Sequence, residues 1–407
     1  MLEYTDIVQK TLDFISPDDD NFLDELIGVT RLFRPFSEAM TDFICEHGYT
    51  GDPADTDAKL AFIRKKFSAS DMAPPREIRK WFTENQPIRR ETAFQICFAF
   101  GLDDAGTDDF FRRYYAHERS LNCHQLREAV YYFCLKNRLS YQESFEILGQ
   151  LPKPVKSNAS DEVVYTGQIR DDLKGMTTRE ELIQYLTEHI DMFSAFNVTA
   201  YESIRRMWTK TAGPGGLLLQ EREKGLPHTF GDEESGIPPL PAPGEGLRTW
   251  DAYLWLFQLN KDSVRELFTD RTIRPILARL HEQVAQSFPD RQILEDILSG
   301  NHVSYESVRK WLVLLSFYTF WAGKALDRGN YEAQRGDMDR CLFQMNDILT
   351  QAGYPELYVG NPYDWIFFYA SNSADPLVTF RLLWCELLNA ALEDAPENPD
   401  AHAPGVR

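Results

Sequence analysis

Residues 74–94 read PPREIRKWFTENQPIRRETAF. The apolar positions Ile78, Trp81 and Phe82 are spaced for one face of a helix, and a second apolar run, FQICFAF at 94–100, follows shortly after Pro87. Five cations, Arg76, Arg79, Lys80, Arg89 and Arg90, share the same stretch. It reads either as a helix that turns basic residues toward nucleic acid or as the solvated face of an ordinary helix.

Working outward, apolar residues recur at helical spacing almost throughout, and no sustained alternation of period two marks a strand. Helix-start chemistry repeats at Ser16-Pro17, Pro74-Pro75, Pro87, Asn122, Ser140, Ser304 and Asn361-Pro362, each followed by an amphipathic run. Gly101, directly after the apolar run, is placed for a C-terminal cap. The expectation is an all-α protein. The most apolar run, Trp311 to Gly323, is 13 residues long, too short to span a bilayer and suited to a buried helix.

The 407 residues suffice for two or three domains with sizeable cores. The expected units are a helical domain over 1–151, a connecting helical segment over 152–212 and a C-terminal helical domain over 247–392. Between the last two lies a loop or linker over 213–246, where eight Gly and six Pro fall among 34 positions. The Pro-rich polar tail 393–407 reads as disordered, and PKPVKSNAS at 152–160 as a short linker.

An internal repeat runs at an offset of 215, with REIRKWFTENQPIRRETAFQICFAF at 76–100 aligned on RQILEDILSGNHVSYESVRKWLVLL at 291–315. Arg76 aligns with Arg291, Ile78 with Ile293 and Glu91 with Glu306, and Phe82, Ile88 and Ala93 meet Ile297, Val303 and Val308. Further on, LREAVYYFC at 126–134 matches DWIFFYAS at 364–371 in pattern. A duplicated helical unit, degenerate in its C-terminal copy, is expected.

The formal charge is −20, which opposes nucleic acid and anionic membrane at long range. Its distribution is uneven. From residue 59 to 90 the cations are Lys59, Arg64, Lys65, Lys66, Arg76, Arg79, Lys80, Arg89 and Arg90, against Asp71, Glu77 and Glu84, so this window carries +6 and the remainder −26. Screening over about 8–10 Å lets such a local face act despite a distant acidic remainder. The second copy has no such face: Asp290, Glu295 and Asp296 stand against Arg291.

Six cysteines without a C-x-x-C pair suit a reduced cytosolic protein, and the acidic start of MLEYTDIVQK is unlike a secretion signal. No catalytic or cofactor motif appears. Cys123-His124 has no companion pair for a metal, His281-Glu282 lacks a second histidine, and GPGG at 213–216 is not followed by Lys-Ser/Thr. Asn361-Pro362-Tyr363-Asp364-Trp365 reads as a helix start rather than a pocket. No enzyme activity, metal or cofactor is expected.

The segments PFSEAMTDFICEHG (35–48), DAKLAFIRKKF (57–67), PREIRKWFTE (75–84), IRRETAFQICFAFGL (88–102) and the continuation DDFFRRYYAHERSLNCHQLREAVYYF give an order of helices that resembles the lambda-repressor-like (XRE-type) helix-turn-helix proteins of bacterial mobile elements, over about residues 32–150. The resemblance implies that PREIRKWFTE enters the major groove, with Arg76, Arg79 and Lys80 near bases, Lys65, Lys66, Arg89 and Arg90 near phosphates, and Ile78, Trp81 and Phe82 turned to the core. Two departures stand out: the link SASDMAPP exceeds a tight turn, and Gln, Asn and Ser are missing from the reading segment.

The function expected is that of an intracellular, cytoplasmic regulatory protein binding duplex DNA as a homodimer. The alternative is a non-enzymatic helical scaffold that engages a protein partner, a basic one among the candidates, and has lost DNA binding.

Overall fold

The computed structural model describes residues 19–30, 33, 35–84, 86, 88–115, 125–152, 166–190, 193, 197–224, 226, 242, 244–257, 276, 277, 280, 284 and 289–393. Among the described residues there are helices and no strands, so the fold is all-α. Ser16-Pro17, Pro87, Asn122, Cys123-His124, His281-Glu282 and nearly all of the 152–160 and 393–407 segments lie outside them.

The chain opens with α1 (Phe22–Val29), α2 (Phe36–Glu46), α3 (Thr56–Ala69), α4 (Ile78–Thr83), α5 (Arg90–Ala99) and α6 (Asp104–Phe110), which runs into a π-helical turn, Phe111–Tyr115. Then come α7 (Leu126–Lys136), α8 (Tyr141–Gln150), α9 (Thr166–Gly175), α10 (Arg179–Glu188), α11 (Val198–Ala212), α12 (Leu217–Glu223) and α13 (Thr249–Phe257). The last five are α14 (Arg291–Ser299), α15 (Tyr305–Arg328), α16 (Asp337–Gln351), α17 (Pro362–Ser371) and α18 (Pro376–Glu393).

The starts follow from local chemistry. Ser140 caps α8 in a reciprocal capping box with Glu143, Ser304 accepts from the Ser307 N–H at 3.2 Å, and Asn361 accepts from Tyr363 N–H at 2.9 Å with Pro362 in the first helical position. After α5, Gly101 adopts φ 65°, and the N–H groups of Gly101 and Leu102 bond back to Phe98 and Cys97 carbonyls at 3.0 Å. That is the left-handed glycine cap in which two otherwise unpaired carbonyls are satisfied.

Several stretches differ from their expectation: α1 packs with the C-terminal helices instead of the 1–151 unit, and the expected connecting segment 152–212 divides, Ile169 to Phe193 packing with the N-terminal helices and Ala200 to Ala212 with the C-terminal ones. Residues 213–246 were expected to be an irregular loop, yet Leu217–Glu223 is a helix with Leu217, Leu218, Leu219 and Glu221 buried. Gly216 lets it start there: a Cβ at that residue would sit 2.6 Å from the Thr211 carbonyl oxygen.

Two apolar cores result. The N-terminal one gathers residues from Phe36 to Phe193; the C-terminal one gathers Ala200 to Leu387 together with Phe22, Leu26, Val29 and Phe33. α1 is thus seated in the C-terminal core, where Trp365 Nε1 donates to the Leu26 carbonyl at 2.8 Å and Phe33 meets the Trp365 ring edge-on at 6.3 Å. Through that core runs α15, 24 residues long, with Trp311 to Leu315 fully buried. No described helix is long and apolar enough to cross a membrane.

Six helices of each half share an order of neighbours. In the first half α3 touches α4 and α5, α5 touches α6 and α7, α6 touches α7, and α7 touches α8. In the second, α11, α14, α15, α16, α17 and α18 repeat those same pairings. α5 and α15 start at 90 and 305, the offset of the aligned segments. The third residue of α7, Glu128, and the third of α17, Asp364, each take two hydrogen bonds from an arginine, Arg90 and Arg309 respectively.

Candidate nucleic-acid interface

α3 is capped by Asp55, whose carboxylate accepts from the Ala58 N–H at 3.0 Å, and it buries Leu60, Ile63 and Phe67. Its opposite face carries Asp57, Arg64 and Lys65 to solvent. Arg64 lies seven residues beyond Asp57, about 10.5 Å along the axis and nearly in line with it. Lys66 is half-buried, its ammonium 5.4 Å from the Phe62 ring centre and 5.3 Å from that of Phe100.

α4 begins three residues later than the expected 75–84 helix and has six residues. Proline disfavours the helical region for the residue before it, and the Pro74-Pro75 pair lies outside the helix; Glu77 at the cap position makes no side-chain capping bond. Ile78 and Trp81 are buried, with Trp81 edge-on to Phe36 at 6.1 Å, and Phe82 packs partly buried against the same core. Arg76, Arg79 and Arg89 are exposed. The Arg79 guanidinium, 58% exposed, donates to the Asp57 carboxylate on α3, which ties α4 to the outer face of α3. Lys80 lies 3.2 Å from Glu77, whose hydrogen bond pushes the ammonium pKa up.

Two of the nine cations point the other way. Lys59 is buried, donates to Thr41 Oγ1 at 3.2 Å and sits 4.4 Å from the Phe82 ring centre; burial pushes its pKa down. Arg90, with a side chain 10% exposed, gives Nε and Nη2 to the two Glu128 oxygens at 2.6 and 2.8 Å and lies over the rings of Phe94, Phe111 and Tyr305. A guanidinium so enclosed is spent within the protein, and Arg90 does not face solvent as its expected phosphate role requires.

The cations that remain are the exposed Arg64, Lys65, Arg76, Arg79 and Arg89 and the half-buried Lys66 and Lys80. Asp57, Asp71, Glu77 and Glu84 are exposed in the same stretch, Asp57 and Glu77 paired with Arg79 and Lys80, so across 57–90 seven cations stand against four carboxylates and the count is +3 rather than +6. Asp57 fell just outside the window counted from sequence, although an acidic first turn after an Asp cap marks such a residue. Eight residues, Ser70 to Glu77, join α3 to α4, which also packs on α2.

The surface can offer arginine forks suited to guanine edges or phosphate oxygens and lysines suited to phosphate alone. Elsewhere the buried carboxylates are occupied: Asp364 by Arg309, Asp337 by Arg328 and Arg340, and Glu221 by Arg381, Tyr318 and Tyr331. Among the described residues no cluster of His, Cys, Asp and Glu is disposed to hold a metal ion. Asn361 starts a helix as expected, while Asp364 three residues on has the further task of neutralising Arg309. No protein-family model, curated protein or solved structure matches the chain.

Proposed function

We propose that the protein is a non-enzymatic regulator that engages duplex DNA through Arg64, Lys65, Arg76, Arg79, Lys80 and Arg89. The observation that carries this reading is the division of α4: Ile78 and Trp81 enter the core while Arg79 reaches Asp57 on the outer stripe of α3, with the half-buried Lys80 after it and the exposed Arg76 in the turn before it. Six cations that neutralise phosphates give a log–log salt slope of about −5. Titrating a labelled mixed-sequence duplex at about 50 and about 200 mM salt measures it. Replacing Arg79 and Lys80 by Glu should abolish binding with folding intact, because both side chains are solvent-facing.

A second reading draws on the Asp57–Arg79 and Glu77–Lys80 pairs. A cationic face already balanced by its own carboxylates suits an acidic helical scaffold that binds a basic protein. No duplex binding at about 50 mM salt favours that reading.

A further inference from the structure

Where the two cores meet, one contact joins equivalent positions of the two helical units. Arg90, the first residue of α5, lies over the ring of Tyr305, the first residue of α15, at 5.2 Å. The two are counterparts at the offset of 215. The next residue of α15, Glu306, counterpart of Glu91, accepts from the Tyr115 hydroxyl at 2.6 Å. Tyr115 closes the π-helical turn, whose wider i→i+5 register accompanies the burial of Phe111, Tyr114 and Tyr115 within five residues. On the far side Tyr305 stacks on Tyr354 at 4.3 Å.

A surface that meets its own counterpart is the mark of two-fold, isologous packing, in which residues near the axis touch their symmetry mates. The matched order of neighbours in the two halves supplies the two partners such packing needs. We propose that the chain is an internal pseudo-dimer, joined about the Arg90–Tyr305 seam, that acts as a monomer. Resting on the DNA reading above, the inference names the ligand class as a single duplex half-site. The segment of the C-terminal copy that corresponds to α4 presents Asp290, Glu295 and Asp296 around Arg291 in place of cations, while α11, the counterpart of α3, exposes Arg206 and Lys210 beside Glu202. The second unit then fills the place of a partner subunit without reading DNA.

Sedimentation equilibrium of the full chain over a hundredfold range of concentration tests the assembly without DNA. A monomer throughout is expected, and a dimer overturns the proposal. The seam itself is read by amide exchange in Tyr115→Phe combined with Glu306→Gln: exchange in the first turn of α15 should rise several-fold while the middle of α15 keeps its protection. Unchanged exchange there overturns the seam as the joint. With duplex, one chain should bind per half-site, and an inverted second half-site one helical turn away should tighten binding by no more than the statistical twofold. Cooperative tightening of tenfold or more overturns the single half-site. A monomer with a responsive seam and no duplex binding sinks the DNA reading and the half-site together, and leaves the pseudo-dimer standing.

Discussion

Arg309 reaches Asp364 through two 2.8 Å hydrogen bonds in surroundings where both side chains are almost wholly buried. Removing one member strands a charge, at a cost of about 3–5 kcal/mol, whereas replacing both with apolar groups of similar volume restores most of it. Arg309→Met should therefore lower the urea midpoint far more than Arg309→Met with Asp364→Leu. Asp337 offers a pH test. Burial pushes its carboxyl up, but hydrogen bonds from Arg328, the Gln334 N–H and Arg340 outweigh that and hold it at about 2. The folded value lies below the ordinary one of about 3.9, so its stabilisation is complete above that pH and fades as pH falls through about 2. Asp337→Asn should remove that limb from the acid unfolding curve followed by circular dichroism. Glu128 and Asp364 were visible in the sequence only as acids in first helical turns. Their arginines stand 38 and 55 residues away, and nothing local encodes that pairing.

Among the elements, α12 separates the two ways of reading the Gly- and Pro-rich region. Leu218 is 2% exposed, so Leu218→Ala should cost about 2–5 kcal/mol in denaturant unfolding. Were the residue in a surface loop, the change would stay within about 0.5 kcal/mol. The sequence hid this helix because LLLQERE spans about two turns and buries three consecutive leucines, so no periodic stripe accumulates before Gly225 ends the pattern. Ser140, Ser304, Asn361 and Gly101 were legible because each performs its role within a few residues of itself. The candidate interface was half legible for a related reason. Exposure of Arg79 follows from the period that buries Ile78 and Trp81. The inward turn of Lys59 and Arg90 depends on Thr41, Phe82 and Glu128, which periodicity within one helix does not contain.

At the scale of the whole molecule, the acidic remainder and the cationic face act over different distances. At about 0.01 M salt the screening length is about 30 Å, so a duplex approaching the face still feels the net −20 of the chain; at about 0.15 M it is about 8 Å and the face dominates. Affinity for a duplex should therefore pass through a maximum at intermediate salt before it falls along the counterion-release slope. A dissociation constant that rises steadily from the lowest salt upward would show that the remainder exerts no such influence.

The seating of α1 also has a consequence for biosynthesis. Leu26 is made 339 residues ahead of Trp365, the side chain that caps its carbonyl, whereas every residue of the N-terminal core lies within the continuous stretch 36–193. During translation at about 5–20 residues per second, that core can close while α1 still waits for its neighbours, tens of seconds upstream of completion. Phe22, Leu26 and Val29 stay uncovered for that interval, which makes the nascent chain a candidate client for a ribosome-associated holdase and makes the docking of α1 a late event in maturation.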